Sequence, residues 1–353
     1  YFTTDAANPL DTGWDFANLL VGTFQSFEQA SVLSKGFYRY YNYEWFVQDN
    51  WRVLPSLTLD YGVRFSYLPH TFGEKNQMAG INPGLYNAAK AVKLYQKAID
   101  PATGKVAAYN PLTGQYLAST FIGAIIPGSG DMNNGLVQEG KNGYPKGLID
   151  SPGVKVAPRF GLAWTPAGPG GKTVIRLGGG VFYERIVGNV AYYLITNPPT
   201  MRMPRYYYGT FNTLTTLPET YFPPAVGGVA KNGKIPNTYN YNLTVQRELP
   251  FAMLLDVSYV GTLNRHQTMQ VPFNEPAWGS AWLPEFQDPT VTPKYDGTTT
   301  LPINFTRPYI GYAGRISGTF AGHMANFGSS SQYHGLQVGL NRRMYRNVQF
   351  GLA

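Results

Sequence analysis

The stretch Leu57-Thr58-Leu59-Asp60-Tyr61-Gly62-Val63-Arg64-Phe65-Ser66-Tyr67 shows the strand pattern most cleanly in this chain. Its odd-numbered residues are apolar or aromatic, and its even-numbered residues are polar or glycine. Because side chains alternate between two faces along a strand, this segment predicts a strand with one apolar face and one polar face. In a soluble sandwich the apolar face would cover a core, whereas in a membrane barrel it would face lipid. The alternation alone does not separate these two folds.

Similar segments recur in pairs that are joined by short turns, while the connections between the pairs are long. The pairs are 41–51 with 56–67, 155–165 with 172–184, 238–248 with 253–263, and 334–345 with 348–353; the long connections are 69–153, 186–236 and 266–332. Short turns at one end and long loops at the other are typical of an antiparallel barrel that crosses an outer membrane.

The sequence therefore predicts an all-β fold, an antiparallel transmembrane β-barrel with long extracellular loops and short periplasmic turns. About eight strands of a larger barrel are visible by this pattern, with a weaker candidate near 23–33 and a short helical turn near 15–22. We expect sequence neighbours to pair in a meander whose turns at 51–56, 165–172, 248–252 and 345–348 share the periplasmic end.

Some residues break the pattern. Phe46, Phe182, Leu254 and Val260 place apolar groups on the polar face, where they need something to pack against. Pro158 lies inside another segment and cannot donate to a ladder, so we expect that strand to be bulged there or to begin after it.

The composition agrees with this fold. Charged residues make up only 14% of the chain, against a usual share of about a quarter, while there are 27 Tyr and 40 Gly. No run approaches the roughly 18 apolar residues that a membrane helix needs, so a membrane location would have to use strands. The absence of Cys excludes disulfides and thiolate metal sites. We expect 1–353 to be part of one barrel domain, with an export signal upstream of Tyr1 and further strand beyond Ala353.

The net charge of +8 does not indicate nucleic-acid binding. Lys and Arg are scattered along the chain, and no basic run is longer than Arg342-Arg343. The sequence contains no recognition-helix pattern and no RNP-like aromatic motif. We read the positive balance as charge on the lumen and rim of the barrel.

The sequence contains no complete motif for phosphate binding, metal binding or catalysis. The run 168–173 (GPGGKT) ends like a phosphate-binding loop, but Pro166 stands where the first Gly is required and a strand pattern follows, so a hairpin turn is predicted. His70, His266, His323 and His334 show no metal-ligand spacing, and 131–135 (DMNNG) lacks the acidic positions of a calcium loop. We predict no enzyme activity, no metal and no cofactor.

Aromatic residues in the long connections are the candidate ligand contacts. Rings over an opening can stack on sugars or peptides, and long loops are often functional. The alternative is that the rings pack the loops against each other. The candidates are Tyr206, Tyr207, Tyr208, Trp278 and Trp282.

Five parts of the chain, in the same order, resemble the barrel strands of Oar-like TonB-dependent receptors. The matching residues are YEWFVQDNWRV at 43–53 with LTLDYGVR at 57–64, APRFGLAW at 157–164, TVIRLGGGVFYER at 173–185, YNLTVQRELP at 241–250 with VSYVG at 257–261, and YHGLQVGLNRR at 333–343. The long loops match nothing specific, so the resemblance carries over no substrate.

The resemblance implies a large barrel in the outer membrane of a Gram-negative bacterium, with an N-terminal plug that is energised through TonB. A carboxypeptidase-regulatory-like domain often precedes the plug; neither this domain nor the plug or TonB box is matched here. Expected partners are outer-membrane lipid, the TonB complex through the plug, and an unknown ligand that is large or scarce, for example an oligosaccharide or a peptide.

The polar face would then line the transport route and hold the plug. The residues expected to line this lumen are Glu44, Asp60, Arg64, Arg176, Glu184 and Asp256. The alternative function is that of a soluble, secreted or surface all-β protein that binds glycans. The two differ in whether Leu59, Tyr61 and Val63 face lipid or a protein core.

Overall fold

The computed structural model of the chain describes residues 1–291, 298–316 and 321–353. In chain order the strands are β1 Thr23–Glu28, β2 Tyr38–Arg39, β3 Tyr43–Leu54, β4 Leu57–Tyr67, β5 Phe72–Gly73, β6 Ala79–Ile81, β7 Gln96–Ile99, β8 Val106–Tyr109, β9 Tyr116–Leu117, β10 Leu136–Gln138, β11 Val154–Trp164, β12 Thr173–Tyr183, β13 Arg205–Thr210, β14 Gly228–Val229, β15 Asn237–Leu249, β16 Met253–Pro272, β17 His323–Tyr345 and β18 Val348–Leu352. The α-helices are α1 Asp15–Val21 and α2 Asn189–Tyr192, and the 3-10 turns are Pro83–Leu85, Ala88–Lys90, Ser119–Phe121, Tyr193–Thr196, Phe211–Thr216, Ser280–Trp282, Pro284–Phe286 and Ile303–Phe305. Within these described ranges no helix is both long and apolar enough to span a bilayer.

One nine-stranded sheet dominates the fold. Its order is β14, β17, β16, β15, β12, β11, β4 and β3, and β18 also pairs with β17. All neighbours pair antiparallel, except the two-residue β14, which runs parallel to β17. The predicted antiparallel meander is therefore confirmed, and each of the eight patterned segments forms a strand of this sheet. The short turns share one end of the sheet and the long connections share the other.

Three details differ from the sequence prediction. The weak candidate near 23–33 forms β1, which pairs with β13 outside the main sheet. Strands β16 and β17 continue to Pro272 and from His323, so their connection is 273–322 and is shorter than predicted. Their ladder shifts register near Gln267.

The expectation for Pro158 was also wrong. Strand β11 begins before it, at Val154, and its pairing with β4 runs through Pro158 opposite Val63 without a register shift. The ladder with β12 starts only at Arg159, so the lack of an N–H group at Pro158 costs no hydrogen bond to β12.

The register places the apolar parity of every strand on a single face. Val47 lies opposite Val63, Leu243 lies between Leu177 and Tyr259, and the same alternation continues to β17. In the described chain no second layer covers this face, and Val47 keeps 69% of its surface exposed. Such a face is stable only against an apolar medium or another protein surface.

Rings mark both margins of this apolar face. Trp51 and Trp164 lie near the turn end, whereas Tyr43 and Tyr67 stack near the loop end with ring centroids 6.3 Å apart. The strands between them have 11 to 13 residues in β4, β11, β12 and β15. Tilted strands of about 9–11 residues cross the hydrocarbon of a bilayer, and aromatic girdles lie at its two interfaces.

The buried core lies outside the sheet, in what we call the loop layer, the described residues of 1–42, 68–153, 184–236 and 273–322. Three clusters of buried apolar side chains join these segments to each other and to the upper end of β17. One example is the cluster of Ile81, Val226, Phe273 and Tyr312, which brings three of the four segments together. The long connections are thus folded into one packed body.

The orientation of the sheet is tested by placing the same charged side chain on its two faces. Val63 is at mid-strand on the apolar face, and Gln48 is beside it on the polar face, opposite Gly62. An Arg that faces lipid at mid-height costs about 2–4 kcal/mol. We expect Val63→Arg to remove most of the folded protein from outer-membrane fractions, scored by heat-modifiable mobility on a gel, and Gln48→Arg to retain it.

Equal loss in both variants would mean that protein covers both faces, and tolerance of Val63→Arg alone would mean that the faces are assigned the wrong way round. Gly62 is unsuitable as the polar-face control. A Cβ atom at Gly62 would lie 2.7 Å from the carbonyl oxygen of Val47, so any side chain there disturbs the backbone.

Candidate functional site

The six residues predicted to line the lumen share the polar face of the sheet. Five of them lie within strands, and Glu184 follows the last residue of β12 with the same parity. Its backbone N–H donates to the carbonyl of Pro236 at 3.1 Å. The residues are Glu44, Asp60, Arg64, Arg176, Glu184 and Asp256.

Hydrogen bonds between β3 and β4 engage three of these side chains, Glu44, Asp60 and Arg64. Arg64 donates to both carboxylate oxygens of Glu44, at 2.6 and 3.3 Å, and Ser66 donates to the same group at 2.9 Å. Asn50 donates to Asp60. On β3 and β4 the polar face is therefore hydrophilic and nearly balanced in charge, which suits contact with water or with a polar protein segment.

A second chain of contacts crosses β12, β15 and β16. Arg176 donates to the Gln246 side-chain oxygen at 3.0 Å, and Gln246 donates to Asp256 at 3.3 Å. Ser258 donates to the other oxygen of Asp256 at 2.8 Å. Asp256 thus accepts two hydrogen bonds, and Arg176 reaches it through Gln246 without a direct ion pair.

The apolar exceptions on the polar face have different surroundings. Phe182 lies under the guanidinium of Arg159, with 4.7 Å between the guanidinium carbon and the ring centroid. Phe46, in contrast, is 65% exposed. Leu254 and Val260 lie opposite Asn341 and Gly335.

The three consecutive tyrosines of the loop layer are fixed by β13 and its pairing with β1. Tyr207 is 9% exposed and packs on Phe121 with 5.0 Å between ring centroids. The hydroxyl of Tyr208 lies 3.0 Å from Asp5 and 2.9 Å from Thr120, and burial raises the pKa of Tyr208 to about 12. Tyr206 donates to Glu219 at 3.2 Å. These contacts join loop segments, as the packing alternative for the rings describes.

The two tryptophans are placed differently. Trp278 is fully exposed, and Trp282 is 60% exposed. Among the described residues no ring contact joins either of them to the three tyrosines. Direct ligand contact by any of the five aromatic candidates stays a prediction.

A cavity of about 410 Å³ lies where all four segments of the loop layer meet, and we call it the loop-layer pocket. This volume is within the range of small-ligand sites. None of the five predicted aromatic residues lines it. Its walls are Glu28, Ile125, Met132, Thr196, Pro198, Met201, Arg202, Met203, Arg205, Tyr221, Phe222, Pro223, Pro224, Ala225, Gly311 and Ile316.

Two arginines give the pocket its charge. Arg205 begins β13 opposite Glu28 of β1, and its guanidinium donates to that carboxylate at 2.5 and 2.8 Å. Arg202 is held by its backbone, which exchanges two hydrogen bonds with Ser31 at 2.8 and 3.0 Å. Its side chain donates to the Asn133 amide oxygen at 2.6 Å and has no carboxylate within 4 Å in the described chain.

The other polar groups of the pocket are already engaged. Tyr221 donates its hydroxyl proton to Glu219 at 2.5 Å, and burial together with this contact raises the pKa of Tyr221 to about 12. Thr196 donates to the carbonyl of Tyr193 at 2.9 Å. Of the two lining arginines, Arg202 is thus the one without a carboxylate partner in the described part of the chain, in a surround of methionine, proline and aromatic side chains.

Buried polar side chains hold the loop layer together by making hydrogen bonds to backbone N–H and C=O groups that do not pair with other backbone groups in a strand ladder. Asn197 donates to the carbonyls of Ala79 and Gly227, at 2.6 and 2.9 Å, and accepts from the N–H of Gly227 at 3.1 Å. Asn274 similarly donates to two carbonyls and accepts from one N–H. Each side chain joins segments that form no continuous ladder.

Glu139 is a charged side chain that makes the same kind of hydrogen bonds to buried backbone groups. It has no exposed surface, and its carboxylate accepts from the backbone N–H groups of Met78, Gly73 and Gly147 at 2.9, 3.0 and 3.2 Å. A carboxylate buried in this way is stabilised by the three aligned amides.

His70 is the buried histidine of the loop layer, at 6% exposure. It lies beside Ile149 and Ile186, and neither ring nitrogen meets hydrogen-bond geometry. Burial lowers the pKa of His70 from 6.5 to about 4, against a smaller opposing contribution from the backbone of Asp150. The other histidines, His266, His323 and His334, lie in β16 and β17, and the described ranges contain no group of three potential metal ligands.

The pocket residues were not predicted from the sequence. The local signal is the run 201–205 (MRMPR) directly before the tyrosines, in which Arg202 stands between two Met and Arg205 follows a Pro. Nothing in that run indicates which segments of the chain meet it, since Glu28 and Ile316 lie far away in sequence.

Comparison with known proteins gives one family and several distant structures. The family described as "Outer membrane beta barrel domain" matches residues 1–353. No curated protein matches the chain. A double mutant of the Serratia marcescens hemophore receptor HasR, in complex with its hemophore HasA and heme, is 12% identical with a TM-score of 0.37 over 85% of this chain and 31% of that one. The FrpB iron transporter from Neisseria meningitidis (F3-3 variant) is 10% identical with a TM-score of 0.29 over 87% and 33%. The chain thus spans about a third of the length of these structures.

The buried histidine predicts a pH dependence of the loop layer. The pKa of His70 is lower in the folded state than in the unfolded chain, so below pH 6.5 the unfolded state gains a proton that the folded state does not. The loop layer should therefore lose about 3 kcal/mol of stability as the pH falls from about 6.5 to about 4, with no further loss from this group below that pH.

Hydrogen exchange of the amides around 68–73 and 147–150 measures this loss. Protection in the wild type should fall between pH 7 and pH 4.5, and His70→Leu should remove most of that change. Identical pH profiles for the two proteins would assign the effect to other groups.

The buried carboxylate predicts a local loss of stability on loss of charge. Glu139→Gln replaces one acceptor oxygen by an NH₂ group that faces a backbone N–H, which should cost about 1–3 kcal/mol. Limited proteolysis should then cut within 73–78 faster than in the wild type. Glu74→Gln is the matched control because the Glu74 side chain forms an exposed ion pair with Arg39. Equal sensitivity of both variants would contradict the structural role of Glu139.

Proposed function

The chain belongs to the outer membrane β-barrel domain family, and from this premise we propose that it forms part of an energised receptor that captures a ligand at its loop layer and carries it across the outer membrane. The protein is located in the cell outer membrane, and its strands are those of an antiparallel membrane barrel. Transport, its energy source and its ligand are the proposed steps.

The observation that carries the proposal is the loop-layer pocket. It is built from all four long segments on the loop side of the sheet, which in such barrels is the extracellular side. A site at this place can collect a ligand from the medium before it enters the barrel.

The polar face supplies the proposed route. Glu44 and Arg64 form an ion pair, while Asp60, Arg176 and Asp256 make hydrogen bonds to neutral side chains across the strands, so the wall is hydrophilic. Resemblance to TonB-dependent receptors suggests that a plug occupies the space beside this wall and that the TonB complex energises its movement. Phe46, which is 65% exposed on the same face, would then pack on the plug.

The soluble glycan-binding alternative is not supported. It requires a second apolar layer over residues such as Tyr61, which remains 43% exposed in the described chain. Outer-membrane location also gives the apolar face a medium in which it is stable.

Energised uptake can be tested while the ligand is still unidentified. Wild-type and gene-deleted cells grow in the same complex medium, and mass spectrometry follows the disappearance of each small molecule. We expect at least one compound to be removed by wild-type cells alone, and a protonophore should stop its removal because energised import depends on the proton gradient. Identical depletion profiles for the two strains would contradict transport, and removal that persists with the protonophore would contradict energisation.

A further inference from the structure

We infer that the loop-layer pocket binds a monoanionic ligand with an apolar body, a carboxylate on a hydrophobic group such as the C-terminus of a short apolar peptide or a free organic acid. This inference rests on the proposed function, because it assigns the ligand class of the same capture site. It narrows the expected choice between oligosaccharide and peptide.

The charge of the walls selects a single anionic group. Among the lining residues there are two arginines and one glutamate. The Arg205 charge is compensated by Glu28 at 2.5 Å. Among the described residues, the side chain of Arg202 bonds only the neutral amide of Asn133, so its charge stays available to the cavity.

The geometry of Arg202 suits a carboxylate. One guanidinium nitrogen is engaged by Asn133, while the ring of Tyr221 lies 5.9 Å from the guanidinium carbon. A guanidinium presents several N–H donors in a plane, and two of them can hold a carboxylate side by side. The backbone hydrogen bonds to Ser31 fix the origin of the side chain, which reduces the conformational entropy lost on binding.

The remaining walls select an apolar body. Met132, Met201 and Met203 contribute thioether side chains that adapt to irregular apolar shapes, and Phe222 with the neighbouring prolines adds flat apolar surface. The hydroxyls of Tyr221 and Thr196 already donate to protein acceptors.

An oligosaccharide fits these walls poorly. Each sugar hydroxyl that is buried without a partner costs free energy, and the walls offer few free partners beyond Arg202. Glu219 lies outside the lining and is occupied by Tyr206 and Tyr221.

The test uses the protein extracted from the outer membrane in detergent, with ligand affinity measured by calorimetry. The probes are the tripeptide acetyl-Leu-Leu-Phe with a free carboxylate, its C-terminal amide, 4-phenylbutyrate, the amide of that acid, and maltotriose. We expect each acid to bind at least about tenfold more tightly than its amide, since a charge-assisted pair is lost in the amide. Preference for the tripeptide or for phenylbutyrate then identifies the source of the carboxylate.

Variants locate the interaction. Arg202→Gln should abolish the preference for acid over amide, and Arg202→Lys should restore part of it because the charge is kept without the planar fork. Arg39→Gln is the matched control, since Arg39 is an exposed arginine of the loop layer outside the pocket. Heat-modifiable mobility confirms that each variant is folded.

Three outcomes overturn the inference. These are equal binding of acid and amide by the wild type, tighter binding of maltotriose, and an unchanged acid preference in folded Arg202→Gln. The comparison of acid and amide binding by the wild type tests the inferred ligand class even if a variant fails to fold. Any of these outcomes leaves energised uptake standing if the depletion experiment shows it, because that experiment presumes no ligand class.

Discussion

A backbone that crosses hydrocarbon has to make its hydrogen bonds within the protein, and this constraint determines the rest of the structure. Between β3 and β18 the inner strands of the main sheet meet it by pairing on both sides, whereas β3 and β18 each pair with a single strand of the described chain. The side chains of one parity all reach the same face. That face is mainly apolar, which suits contact with lipid, and its Asp49 carboxylate accepts a hydrogen bond from the hydroxyl of Tyr61 at 2.9 Å. The other face can carry the Glu44–Arg64 pair and the Arg176–Gln246–Asp256 chain, since these groups remain in a polar environment.

Outside the membrane the same requirement is met by different means. The loop layer has no continuous ladder, and its backbone groups are satisfied by short strand pairs and by buried side chains such as Asn197, Asn274 and Glu139. Its apolar clusters provide the core that the single-layered sheet lacks. The loop layer is therefore a packed body that shares part of its core with the upper end of β17, and the pocket is a gap between its segments.

The sequence predicts the two regions unequally, for a physical reason. In the membrane the two faces of each strand meet different media, so the strand leaves a period-two pattern and all eight patterned strands could be predicted. Beyond the hydrocarbon the two faces of a strand no longer meet a lipid and a polar medium, and residues 264–272 and 323–333 form strand without regular alternation. For that reason the ends of β16 and β17 were missed, and β1 could not be separated from the sheet.

The pocket could not be predicted at all, because it depends on contacts between segments rather than on any local pattern. Glu28 neutralises Arg205 only after β1 has paired with β13, a contact between residues 177 positions apart. Without that pairing, the run at 201–205 would present two equivalent charges; with it, Arg202 is the one of the two that has no carboxylate partner among the described residues. The specificity inferred for the site is thus a property of the loop-layer fold. Because lipid fixes the sheet independently, residues of the pocket can change the ligand without changing the strand register beneath them.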